Sequence, residues 1–427
     1  MRLLIKNGRV IDPSSKTDAT LDLLIERGKI VDIKTKIESK GVKVIDASRL
    51  VVAPGFIDMH VHLREPGQED KETLFTGALA AAKGGFTSIA CMPNTNPVND
   101  NRGVTEYILS ETKKNSVVNV FPIASITRGQ NGAELTDMAD LADTGAIAFS
   151  DDGLSIEDSQ VMRRALEYSK ILKTLIINHC EDKNLSGEGV MHEGYYSYLF
   201  GLKGIPASSE ETIVARDIIL AKKAGAPIHI AHLSVKGAVD IIKEAKKKKV
   251  MVTTEVTPHH LFLTDSLLEN YDTNLKVNPP IRSKEDAQAL IQAVKDGVVD
   301  VFATDHAPHT MDEKDAEFDK APFGINGLET AVSLFLDKLV NKNVISLRKF
   351  VGMISTTPAA ILGLENKGKI CVGADADLTI LNLKKEIVVD VNTFKSKSRN
   401  NPFHGWKLRG APVKTIVGGK IVYTSSS

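Results

Sequence analysis

From residue 55 to about residue 363, short apolar β-rich runs alternate with stretches in which apolar residues recur three and four positions apart. Eight runs read as strands: G-F-I-D-M-H-V-H, F-T-S-I-A-C-M, V-V-N-V-F-P-I, A-I-A-F-S, T-L-I-I-N-H, P-I-H-I-A-H, V-M-V-T-T-E-V and V-D-V-F-A-T-D. Between them, segments 72–83, 157–170, 209–224, 235–248 and 284–295 carry the helical spacing. Eight β/α units in this length predict an α/β fold, a TIM-like (β/α)8 barrel whose active site lies at the C-terminal ends of its strands. The chain ends read differently. L-L-I-K-N-G-R-V-I-D, L-L-I-E-R-G-K-I-V-D-I and V-K-V-I-D-A near the start resemble A-D-L-T-I-L-N-L, E-I-V-V-D-V and T-I-V-G-G-K-I-V-Y near the end. Asn7-Gly8 and Arg27-Gly28 sit where two-residue hairpin turns are wanted. The expected organisation is therefore a barrel over 55–365, flanked by one small composite β domain built from 1–54 and 366–427.

Charge narrows the partners. The 54 basic and 54 acidic residues cancel, so no basic excess is available for a nucleic-acid backbone or an anionic membrane surface. No apolar run approaches the roughly 20 residues that cross a bilayer, and the N-terminal M-R-L-L-I-K-N-G lacks the apolar core of a signal peptide. Three widely spaced cysteines suit a reducing compartment. A cytoplasmic protein is expected.

The barrel rule predicts that metal-type residues collect where strands end. His60 and His62 close the first strand and share a face by alternation, which sends two imidazoles toward one point. Arg64 follows at the same parity and brings a permanent cation, which suggests an anionic substrate. Asp151 and Asp152 follow the fourth strand, His179 the fifth, His232 the sixth and Asp305 the eighth. Taken singly, each could cap a helix or form a turn. Together, four histidines and at least two aspartates at one rim supply ligands for two divalent ions. Other residues point elsewhere. His229 lies on the opposite face from His232, Cys180 faces away from His179, and His192, His259, His260 and His404 lack ligand geometry. The lysines at 246–249 read as a solvated helix end.

P-G-F-I-D-M-H-V-H-L-R-E-P-G, M-P-N-T-N-P, F-S-D-D-G, N-H-C-E-D, T-P-H-H-L, N-P-P-I-R and A-T-D-H-A-P-H together resemble the amidohydrolase superfamily, and within it the longer bacterial dihydroorotases. The resemblance spans essentially the whole chain. It implies two divalent metal ions, with Zn2+ the first choice, one held by His60, His62 and Asp305 and the other by His179 and His232. Asp152 would bridge them; the residues alone leave Asp151 open as its rival. It also implies substrate contacts from His62, Arg64, Asn94, Asn278 and His309, and from backbone near Phe323 and Gly324. Asp305 would be the catalytic base, taking the proton of the attacking water and passing it to the departing ring nitrogen. The implied reaction is the reversible opening of (S)-dihydroorotate to N-carbamoyl-L-aspartate, a step of pyrimidine synthesis. A homodimer, or association with an aspartate carbamoyltransferase, is a further implication.

Dihydropyrimidinases, hydantoinases and allantoinases carry a bridging carboxylated lysine after strand four, whereas here the position reads F-S-D-D-G, with no lysine between Asn115 and Tyr168. That difference and Arg64 favour dihydroorotase over a dihydropyrimidinase-like or allantoinase-like enzyme. A silent scaffold partner of a carbamoyltransferase would have lost ligands, and none is missing. The long charged segment 306–327 beside Asp305 is expected to be a mobile lid.

Overall fold

In a computed structural model, residues 2–425 are described. Eight strands, Phe56–Val61, Phe86–Cys91, Asn119–Ala124, Ala148–Phe149, Leu175–Asn178, Ile228–Ile230, Val252–Val256 and Val301–Phe302, lie side by side in chain order. Every neighbouring pair is parallel. Strands eight and one close the ring by a bridge between Val61 and His306, with the His62 N–H donating to the His306 carbonyl at 2.8 Å. The result is a near-closed (β/α)8 barrel. Its strands are buried along their length, which is why they read as continuous apolar runs.

The helices bury one stripe each. In Ser159–Leu172 the buried residues are Met162, Ala165, Leu166 and Ser169, and Asp158 caps the first turn by accepting from Gln160 and Val161. Thr73 caps Leu74–Gly84, and Ser283 caps Lys284–Asp296. One expectation fails at a helix end. Lys246 is not simply solvated: its ammonium donates to the Val298 carbonyl at 2.7 Å and pairs with Asp300 at 2.5 Å, tying Lys236–Lys247 to the approach of strand eight.

Both chain ends share a second sheet. Its order is Lys420–Thr424, Lys407–Val417, Leu378–Val388, Val51–Pro54, Arg2–Asp12, Thr17–Glu26 and Lys29–Lys34, with Lys43–Asp46 also on Arg2–Asp12. Arg27-Gly28 forms the expected turn, but Asn7-Gly8 does not. It sits inside one long strand as an irregularity between Ile5 and Gly8. There the parallel partner changes from Lys43–Asp46 to Val51–Val52, and Gly8 lies against Val52 and Ala47. The apolar run beginning at Val51 is likewise two strands. Val51–Pro54 belongs to the terminal sheet and Phe56–Val61 to the barrel, with Gly55 between them, where a Cβ would overlap Thr87.

Residues 389–406 leave the terminal sheet and pack onto the barrel loops. Val389, Phe394 and Phe403 share an apolar cluster with Leu263, Leu275, Val277 and Ile325. Ser396, Ser398, Asn400 and Asn401 are buried beneath them. No helix among the described residues is long and apolar enough to cross a membrane.

Candidate active site

The strand ends deliver their side chains to one buried cluster. His60 Nε2 lies 3.3 Å from Asp152 Oδ1 and 3.5 Å from Asp305 Oδ1. His62 Nε2 lies 3.1 Å from Asp305 Oδ1 and 3.4 Å from Asp152 Oδ2. On the other side of Asp152, Oδ1 is 3.7 Å from His232 Nε2 and 4.0 Å from His179 Nδ1, and those two nitrogens are 2.8 Å apart. Asp152 thus faces two histidine pairs. Asp151 does something else: its carboxylate accepts the Ile126 and Thr127 N–H groups at 2.8 and 3.0 Å, and the Thr127 hydroxyl. It clamps the loop after strand three and points away from the cluster.

Outer hydrogen bonds set the tautomers. His60 Nδ1 is 2.6 Å from Glu255 Oε1, His62 Nδ1 is 2.8 Å from Asn94 Oδ1, and His179 Nε2 is 3.1 Å from Glu181 Oε2. In each case the outer nitrogen donates, which leaves the inner lone pair aimed at the cluster. Glu255 also accepts the His232 N–H at 3.1 Å and meets His229 Nε2 at 3.2 Å. His229 is therefore structural, as alternation predicts. Cys180 faces Asn178 and Asp217, away from the cluster. Burial opposes positive charge at His60, yet Asp152, Glu255 and Asp305 raise its affinity for a proton, and the same three carboxylates favour any cation held beside it. Burial opposes ionisation of Asp305, yet His60, His62 and His232 hold it below the usual carboxylate range.

The donor set fits divalent metal. Tetrahedral ligands at 2.0–2.1 Å from an ion stand about 3.4 Å from one another, and the four contacts around His60 and His62 run from 3.1 to 3.5 Å. Two triads, His60–His62–Asp305 and His60–Asp152–His232, bring ligand atoms within 4.8 Å of one another. His60 Nε2 and Asp152 Oδ1 are buried with no hydrogen-bond partner, as an inner ligand atom should be.

Above the cluster is a cavity of about 180 Å³, room for one small ring. Arg64, Asn94, Asn278, His309, Phe323 and Gly324 all line it. Arg64 donates Nε–H to the Pro308 carbonyl at 3.2 Å, and its Nη2 lies 3.4 Å from His309 Nε2. Burial lowers its pKa to about 10, and it remains a cation at neutral pH. His309 lies 3.1 Å from Glu313 and 2.9 Å from the Phe323 carbonyl. Burial and the Arg64 charge press its pKa below the ordinary value, and the Glu313 carboxylate works against them. Asn94 gives its oxygen to His62 and Asn278 gives its amide to Glu181 at 2.9 Å, so each joins a histidine of the cluster to the cavity wall. Segment 306–327 is folded down over this wall. Lys314, buried within it, donates to the carbonyls of Thr273, Lys276 and Pro322.

The chain is similar to known proteins along its whole length. The model of the Dihydro-orotase-like family matches residues 48–238, and that of the Amidohydrolase family matches 186–423. The chain is 52% identical over 422 residues to a dihydroorotase of Pelotomaculum thermopropionicum, covering 99% of this chain and 98% of the relative. It is 50% identical over 424 residues to a dihydroorotase of Geobacter metallireducens, covering 99% and 100%. This chain belongs to the dihydroorotase family. Among solved structures, the L-hydantoinase of Arthrobacter aurescens superposes with a TM-score of 0.89 at 26% identity, over 100% of this chain and 96% of that one. The dihydropyrimidinase of Brevibacillus agri gives 0.86 at 26%, over 99% and 95%. A dihydroorotase-family chain thus shares its scaffold with a hydantoinase and a dihydropyrimidinase.

Sequence reasoning missed Glu255, Glu181 and the buried polar segment 396–401. Glu255 had a signal, since an ionisable residue in the apolar run V-T-T-E-V must find a partner once buried. Glu181, two residues past a ligand-type histidine, had a weaker one. Segment 396–401 had none, because its partners lie far away in sequence.

Proposed function

We propose that this chain is a dihydroorotase, interconverting (S)-dihydroorotate and N-carbamoyl-L-aspartate. The observation that carries the reading is one small cavity lined by His62, His179, His232, Asp152 and Asp305, with His60 buried against the two aspartates, and by the buried cation Arg64. Relatives about 50% identical over their whole length bear that name. His60, His62 and Asp305 would hold one divalent cation, His179 and His232 a second, and Asp152 would be common to both. Zinc is the first choice for so imidazole-rich a set. When bound, such cations lower the pKa of water and polarise an amide carbonyl.

The chain's own residues do the rest. The guanidinium of Arg64, with Asn94 and His309, receives the substrate carboxylate that does not react and fixes the ring in the cavity. Backbone at Phe323 and Gly324 borders the same wall. Asp305 Oδ accepts the proton of the attacking water and delivers it to the ring nitrogen as the amide C–N bond breaks. In reverse, it accepts the ureido nitrogen's proton as that nitrogen attacks the side-chain carboxyl, and the proton leaves with water. Residues 1–54 and 366–427 form one β unit around the 55–365 barrel in this reading, and three free cysteines suit the cytoplasm.

The alternative substrates, uncharged cyclic ureides, are suggested by the structural neighbours. They would leave Arg64 without a counter-charge. Initial rates of the metal-loaded protein on dihydroorotate, dihydrouracil, hydantoin and allantoin test the reading. Dihydroorotate should be preferred, and Arg64→Lys should lower its kcat/KM by about ten- to a hundred-fold while metal content stays constant. Preference for dihydrouracil or hydantoin would overturn the assignment.

A further inference from the structure

The cavity wall that carries His309, Phe323 and Gly324 has almost no regular structure of its own. His309 and Gly324 lie in two loops that meet beside Arg64 and touch directly where the Ala307 N–H donates to the Ile325 carbonyl and His309 Nε2 faces the Phe323 carbonyl, both at 2.9 Å. Further bracing comes from the far end of the chain. Asn400, almost fully buried, uses both ends of its side-chain amide: Nδ2 donates to the Ala307 carbonyl at 3.0 Å and the Gly324 carbonyl at 2.9 Å, while Oδ1 accepts the His309 N–H at 3.3 Å. Its own carbonyl accepts from Asn326 N–H at 2.9 Å. Ser398 closes the other side, donating to the His309 carbonyl at 2.8 Å and accepting its N–H at 3.2 Å.

The brace is itself anchored to the barrel. Ser396 donates to Glu72 at 2.5 Å, Glu72 meets His306 at 3.3 Å, and Glu329 accepts the backbone N–H groups of Lys395 and Ser396. Asn401 donates to the Asn326 carbonyl. The segment therefore reaches from a barrel helix to both loops of the wall.

We propose that Asn400, seconded by Ser398, is a positioning residue that sets the spacing of His309 and Gly324 across the substrate site. The chemistry requires an amide. Two carbonyl oxygens face Nδ2, so they need a donor, while Oδ1 shares the His309 N–H with Ser398 Oγ. Aspartate has the same shape and would set a carboxylate oxygen against two carbonyl oxygens, forcing the loops apart. Because His309 meets the part of the substrate that does not react, its displacement weakens binding more than the chemical step. The inference rests on the proposed function for the choice of substrate and for the contact made by His309.

Asn400→Asp and Ser398→Ala are compared with wild type in the full-length, metal-loaded protein, using whichever substrate of the panel the wild type prefers. For Asn400→Asp, KM should rise ten-fold or more with kcat within about three-fold and metal content unchanged. Most of that rise should vanish when Asn400→Asp is introduced into His309→Ala. Ser398→Ala should raise KM about three-fold, and it carries the test alone if Asn400→Asp is not recovered folded. An unchanged KM overturns the proposal, as does a fall in kcat with KM constant, or a full KM rise persisting in the His309→Ala background. Failure of the wild type to prefer dihydroorotate would overturn the assigned substrate and leave this comparison intact on the preferred one.

Discussion

Asp151 and Asp152 are adjacent and buried, and replacing each with alanine should do opposite things. One Asp152 carboxylate stands within 3.3–4.0 Å of nitrogens from His60, His62, His179 and His232. Asp152→Ala removes the carboxylate that faces ring nitrogens of both histidine pairs, and metal affinity should fall by more than the roughly ten- to hundred-fold typical of a residue that merely orients a ligand. Asp151 serves the fold. Asp151→Ala leaves the Ile126 and Thr127 N–H groups unsatisfied, at about 1–3 kcal/mol each. The loss is partly offset, because burial pushes the Asp151 carboxyl up to about 6 and removing it relieves that cost. A net destabilisation of about 1–3 kcal/mol follows, with metal content near wild type. Metal analysis after dialysis, urea unfolding and dihydroorotate hydrolysis would be measured for both variants. Full metal loading in Asp152→Ala, or metal loss without destabilisation in Asp151→Ala, would refute the division of roles. Reconstitution should be indifferent to bicarbonate, since no lysine carbamate is required; a strict requirement would also refute it.

Glu255→Gln should speed metal loss to a chelator by about ten- to a hundred-fold, because its carboxylate holds both the His60 ring and the His232 backbone; an unchanged release rate would remove Glu255 from the site. His192 bears on acid stability. Burial and the Arg282 cation lower its pKa to about 4, so between pH 6.5 and 4 the unfolded chain takes up a proton that the folded chain refuses. The stability it contributes is present above pH 6.5 and is lost as pH falls through that window. His192→Gln should remove on the order of 2 kcal/mol of the acid-side loss; identical urea midpoints against pH in both proteins would contradict this.

The barrel and the cluster were legible because both are written in short-range pattern. Runs that alternate between strand and helix spacing specify β/α units, and a His or Asp at the end of each run is visible by inspection. The misread features depend on partners distant in sequence. Asn7-Gly8 has turn composition, yet the pairing of Arg2–Asp12 with two different parallel strands keeps it in one continuous element. Lys246 looks solvated until Asp300 is beside it. Asn400 lies 91 residues from His309, and no local rule links an asparagine in a polar connection to a loop so far away.

Even within the legible part, position was easier to read than direction. Alternation of side chains holds only while the chain is paired as a strand. His60 is inside strand one, but His62 follows its last residue, Asp152 comes three residues after Phe149, His179 one after Asn178, His232 two after Ile230 and Asp305 three after Phe302. By then the backbone is turning. Arg64, His232 and Asp305 have φ of 64°, 28° and 47°, left-handed values that cost a non-glycine residue on the order of 1 kcal/mol or more. The surroundings impose them: Glu255 accepts the His232 N–H, Asp58 accepts the Thr304 N–H one residue before Asp305, and Pro308 accepts from Arg64 Nε. The turned backbone aims these side chains into one cavity, so parity could not distinguish Asp151 from Asp152. What separates them is the set of donors that meets each carboxylate: backbone N–H groups for Asp151, and imidazole nitrogens for Asp152.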